Sequence, residues 1–125
     1  MRTGVDLLAI HRFSRIARRA RYRSLLFTEA ELGQAANLGP DRQVERLAGR
    51  FCAKEATCKV LGRGFGQGVH WRDIEVLGDP WGRPVVTLHC GARKIADLLG
   101  LGEVVVTLTH QADLVVAFAA ADMRK

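Results

Sequence analysis

The sequence predicts an α+β fold, one domain over residues 1–125 in which a small, mostly antiparallel sheet packs on a single long helix. Three observations lead there. Apolar residues recur at helical spacing over residues 41–61, the longest periodic segment in the chain. Short apolar runs bounded by glycine and polar residues stand near both ends and in the middle, where strands belong. No repeat, linker or low-complexity stretch divides the 125 residues, a length that suits one core.

Taken in order, residues 4–10 read GVDLLAI, short enough for a buried strand. Over residues 12–26, Phe13, Ile16, Ala17 and Ala20 keep a helical period, which predicts one helix with arginines on its other faces. Thr28 and Glu31 form a capping box that starts a helix at Glu29, and Leu38-Gly39-Pro40 ends it by breaking the pattern. Asp41 then opens the long helix, whose buried stripe is Val44, Leu47, Ala48, Phe51 and Cys52. Alternate glycines from Gly62 to Gly68 lose too much backbone entropy to stay helical and form a loop. Residues 73–77 and 85–88 flank the turn-rich GDPWGRP as two strands. A short helix over 92–99 stops at Gly100. Strands over 104–108 and 114–119 close the chain, separated by the polar residues 109–113.

Composition excludes several classes. With 48% hydrophobic and 26% charged residues the chain is neither disordered nor a membrane protein, and no apolar run reaches the length of a span. The N-terminus lacks a signal-peptide profile. Cys52, Cys58 and Cys90 fit no disulfide or metal spacing and read as small core residues in a reducing compartment, so a cytosolic location is expected. The net charge is +6, and residues 11–24 hold six arginines (Arg12, Arg15, Arg18, Arg19, Arg21, Arg23) and no acid. Such a block attracts an acidic protein, a nucleic acid or an anionic surface.

Few residues stand out chemically. Asp6 lies between valine and leucine in the first strand, where a carboxylate has to be paired, protonated or bound to a cation. Glu55 follows Phe51 and precedes Lys59 by four residues each, so the three share one side of the long helix, and a surface Glu55–Lys59 salt bridge is the plain alternative to a site. Two carboxylates with basic neighbours suit magnesium, which takes few protein ligands and shares substrate phosphate oxygens. Arg46, Arg50, Lys54 and Lys59 recur along the same helix before the glycine-rich loop, which is neither a Walker motif nor a dinucleotide fingerprint. His110 stands at a strand end.

The segment from Arg46 through Phe51, Lys54 and Glu55 to Lys59 closely resembles the signature of the holo-acyl-carrier-protein synthases, the small phosphopantetheinyl transferases. Gly4-Val5-Asp6 with Ile10 and Arg12 resembles that family's opening, Phe27-Thr28-Glu29-Ala30-Glu31 its second-helix motif, and Asp73-Ile74-Glu75-Val76 with Gly82-Arg83-Pro84 its central hairpin. Leu108-Thr109-His110 resembles its usual Ser-His ending. The motifs occur in order over nearly the whole chain. Departures are Thr109 for serine, Cys52 where alanine is usual, His11 where an acid is frequent, and Arg2 where glycine is common.

The resemblance implies that Asp6 and Glu55 hold magnesium, which also binds the diphosphate of coenzyme A, with Lys59 meeting phosphate beside them. A carrier serine would attack the phosphate bearing pantetheine, and adenosine 3′,5′-bisphosphate would leave. Arg50 and His110, with Thr109 alongside, would contact the cofactor at its 3′-phosphate, and the loop at Gly62 and Gly64 would border the nucleotide. Glu55, a water on the metal and His110 all stay open as proton acceptor. Arg12, Arg15 and Arg19, with Ile16 near the same side, would dock an acidic acyl-carrier protein. A homotrimer with sites between subunits is expected on resemblance alone. Two other readings are a basic nucleic-acid-binding module, which one tyrosine, two tryptophans and the lack of a stacking motif count against, and a transferase dedicated to a polyketide or peptide synthase carrier.

Overall fold

The computed structural model describes residues 1–125. The element order is β1 (Arg2–Ala9), α1 (Ile10–Ala17), α2 (Ala20–Leu26), α3 (Glu29–Ala35), α4 (Pro40–Leu61), β2 (Ile74–Gly78), β3 (Pro84–Leu88), α5 (Cys90–Leu99), β4 (Leu101–Gln111) and β5 (Leu114–Met123). The strands form two antiparallel sheets, β1-β5-β4 and β2-β3. α4 lies across the inner face of the larger sheet. That approach is possible because the inward positions of β5 are small: Val115, Ala117, Ala119 and Ala121 are all buried. Twenty-seven buried apolar residues make one continuous core around it.

The arginine-rich segment is two helices, not the single one its periodicity predicts. At about 100° per residue, continuing past Phe13 and Ala17 would carry Leu26 to the far side, into water. The chain instead turns at Arg18 and Arg19, with Arg19 extended at φ −97° and ψ 120°, and Leu26 and Phe27 enter the core. The side chain of Arg23 donates from Nε to the Ala17 carbonyl freed by the break, and from its guanidinium to Gln43 Oε1 at 3.1 Å. At the other end α1 has no side-chain cap of its own. Asp113, in the β4–β5 turn, supplies one: its carbonyl accepts from the Ile10 amide at 2.8 Å and its Oδ1 from the His11 amide at 3.0 Å. The His11 imidazole pairs with the same carboxylate, which holds Asp113 below the usual aspartate range.

The capping box on α3 forms as predicted, but Glu31 does more. It is buried, and its Oε1 accepts from Lys54 Nζ at 2.8 Å while Oε2 accepts from the Val76 amide at 2.9 Å. Lys54 also donates to the carbonyls of Trp71 at 2.9 Å and Ile74 at 2.6 Å. It is fully enclosed, so the basic residue that stood in line with Arg46, Arg50 and Lys59 cannot meet a phosphate. Instead it ties α3, α4 and β2 together. Burial lowers its pKa and Glu31 opposes the shift.

Two further expectations change. β4 runs on through Thr109, His110 and Gln111, because these residues pair with Val116, Val115 and Leu114, leaving only Ala112 and Asp113 as the turn. Cys90 is exposed at the start of α5, unlike the buried Cys52 and Cys58. The loop after α4 is ordered: Gly62 takes the left-handed conformation (φ 73°) that ends the helix, and Phe65 stacks on Trp71, which stacks on Phe51.

Candidate active site

Asp6 sits on the inward face of β1 and Glu55 on the side of α4 that faces it. The two elements come together at Gly4, where a Cβ would stand 2.2 Å from the Ala56 carbonyl and 2.7 Å from Lys59 Cβ. Only glycine allows this contact. Glu55 is half-buried, and its pKa is raised by burial and by the facing Asp6 charge, against the opposing pull of Lys59. Lys59 does not bridge to Glu55 as helical spacing alone suggests. Its Nζ donates to the Val5 carbonyl at 2.7 Å and lies 3.4 Å from Asp6 Oδ1. Cys52, buried beneath, has its Sγ 3.3 Å from the Asp6 carbonyl and 3.6 Å from Asp6 Oδ2. Burial first, then the Asp6 charge, push that thiol up to about 12, so it remains an S–H donor. Helix spacing gave no sign of this contact, because a cysteine in a helix does not announce what lies across from it.

A second cluster lies elsewhere on α4. Arg42, Arg46, Arg50 and His110 line a recess of about 240 Å³. Arg50 is buried, and its pKa is lowered by burial and by neighbouring Arg46. Arg46 and Arg50 also line a polar hollow of about 300 Å³ under Gly78 and Gly82.

 

Neither hollow contains Asp6 or Glu55, so within one chain the acid pair and the Arg50–His110 cluster stand apart. Thr109 and His110 are exposed near the end of β4. Gly62 and Gly64 lie at the exposed mouth of the loop, and the Gly64 amide donates to Gln67 Oε1 at 2.8 Å instead of standing free.

A family model described as the 4′-phosphopantetheinyl transferase superfamily matches residues 2–119. The chain belongs to that superfamily. Within it, the chain is 42% identical over 111 residues to a holo-[acyl-carrier-protein] synthase of Moorella thermoacetica, covering 88% of this chain and 84% of that one. Among solved structures it is similar to the holo-[acyl-carrier-protein] synthase of Neisseria meningitidis, with a TM-score of 0.86, 28% identity and 97% of each chain covered. It is also similar to the Bacillus anthracis synthase in complex with CoA (3′,5′-ADP), with a TM-score of 0.81, 27% identity and coverage of 99% of this chain and 96% of that one.

The helix break reshapes the surface of the arginine-rich segment. Arg12 and Arg15 are exposed on α1, while Arg19 stands at the start of α2. Arg15, Ile16, Arg19 and Tyr22 share the rim of one mostly apolar hollow floored by Phe51 and Trp71, while Arg12 lies outside it. Ile16 is 40% exposed there, so an apolar contact is available among the guanidinium groups.

Proposed function

We infer that this transferase moves 4′-phosphopantetheine from coenzyme A to a serine of an apo-acyl-carrier protein, releasing adenosine 3′,5′-bisphosphate, and that Asp6 and Glu55 hold the magnesium ion it uses. One observation carries the metal assignment: two carboxylates are brought face to face at the Gly4 contact, where burial and then the facing Asp6 charge raise Glu55. Hard oxygen donors in this arrangement suit a small divalent cation. An ion held by two carboxylates would complete its shell with water and substrate phosphate. When bound, magnesium supplies charge neutralisation on the diphosphate.

The chain's own groups supply the rest. Lys59 has three N–H donors, two of them directed at Val5 and Asp6, which leaves one for a phosphate oxygen. Arg50 and His110 take the 3′-phosphate, with Thr109 beside them and Gly62 and Gly64 bordering the nucleotide. Arg12, Arg15, Ile16 and Arg19 orient the acidic carrier. We read residues 1–125 as a single transferase domain that works in the cytosol; no helix is long and apolar enough to cross a membrane.

The separation of the acid pair from the Arg50 cluster favours a site completed by a neighbouring copy. The outer face of the larger sheet is apolar and bare, with Val5 53%, Leu7 61%, Val105 56% and Phe118 44% exposed. A homotrimer that covers this face would bring the two clusters of adjacent subunits to one molecule of coenzyme A.

Incubation with coenzyme A, magnesium and a panel of apo-carriers, read by intact mass, tests the function. The panel sets the carrier of fatty-acid synthesis beside polyketide and peptide synthase carriers. Asp6→Ala and Glu55→Ala should each abolish the mass gain while the fold persists, because each removes a ligand and not core volume. Undiminished turnover by both in metal-free buffer would sink the metal assignment.

A further inference from the structure

Cys52, Glu55 and Lys59 occur at i, i+3 and i+7 on α4, a single stripe along the helix that faces Asp6. Lys59 Nζ approaches one oxygen of the Asp6 carboxylate at 3.4 Å, and Cys52 Sγ approaches the other at 3.6 Å. The thiol is fully buried and lies also within 3.3 Å of the Asp6 carbonyl and 3.7 Å of the Val115 carbonyl. An S–H carries one hydrogen, and the carboxylate is the only charged acceptor among the three. Alanine at this position would leave that oxygen without the donor.

We propose that Cys52 is a positioning residue for Asp6, its buried thiol clamping the carboxylate from below so that the metal-facing geometry is set before the cation arrives. This rests on the assignment of Asp6 and Glu55 as metal ligands. Groups that hold a ligating side chain in place affect metal affinity without touching the metal. Cys52 acts through Asp6 alone and takes no part in the transfer.

The test is Mn²⁺ binding to the metal-free protein with coenzyme A present, read from the free-ion electron paramagnetic resonance signal, with thermal melts of each variant in parallel. Cys52→Ala should raise the Mn²⁺ dissociation constant by about three- to tenfold, at or below the roughly tenfold lower limit for such partners because a thiol donates weakly. Cys52→Ser restores a donor and should recover most of that loss. Unchanged Mn²⁺ affinity in Cys52→Ala, whatever its melting temperature, would show that the thiol only fills space. A serine variant no better than alanine would overturn the hydrogen-bond origin. Asp6→Asn separates the two levels: if it too binds Mn²⁺ like the parent, the metal assignment fails and this inference with it. If Asp6→Asn loses the ion while Cys52→Ala keeps it, the positioning role alone is wrong.

Discussion

A methyl group at Gly4 would fall 2.2 Å from the Ala56 carbonyl, so Gly4→Ala has to push β1 off α4 two residues before Asp6. We expect that variant to lose transfer activity and about 3 kcal/mol of stability, the upper range for overpacking, measured by urea melts beside the mass assay. Glu55 gives a pH signature. Its folded pKa is raised above 4.5, so the folded state binds the proton more tightly than the unfolded one. Stability contributed by that proton is therefore present below 4.5 and is lost as pH rises through the raised value. Melts of the metal-free protein should show this fall, and Glu55→Gln should remove it. Magnesium with coenzyme A should stabilise the protein most above that window and progressively less below it, where protons compete. Asp6 was legible in the sequence as a charge inside an apolar strand, and Glu55 with Lys59 by helical spacing. The Cys52 and Lys54 contacts were not, because their partners lie 46 and 23 residues away and are chosen by packing.

Among the elements, the capping box, the long helix and the strand runs followed from local pattern, whereas the break between α1 and α2 did not. No glycine or proline marks it; the burial of Leu26 and Phe27 forces it. Across the break, Tyr22 and Leu26 of α2 line the same hollow as Arg15 and Ile16 of α1. If Arg12, Arg15 and Arg19 dock an acidic carrier, Arg12→Glu should lower kcat/KM for the carrier and leave coenzyme A affinity nearly unchanged. Steering acts over about a Debye length, roughly 8 Å at physiological salt, so the parent's efficiency should fall as salt is raised, and the variant's should fall less. Equal efficiency of parent and Arg12→Glu at low salt would reduce the arginines to a solvated face.

For the whole molecule, residues 114–121 are apolar at every position, more than a strand with one wet face requires. That run was readable as a strand, but what covers its outer face was not, since a sequence does not show whether a second buried side belongs to its own chain. Phe118→Glu places a charge on the exposed face and should convert a trimer to monomers in sedimentation, with activity lost in parallel. A monomeric parent that transfers at full rate would end the shared-site reading.

The buried Lys54–Glu31 pair carries a consequence for descent. Removing one partner strands a charge in the core at about 3–5 kcal/mol, a large share of the 5–15 kcal/mol typical of a whole domain. A lineage cannot readily pass through either single change. The two positions should be inherited as a unit, exchanged together or kept, even though neither touches coenzyme A or the carrier in this reading.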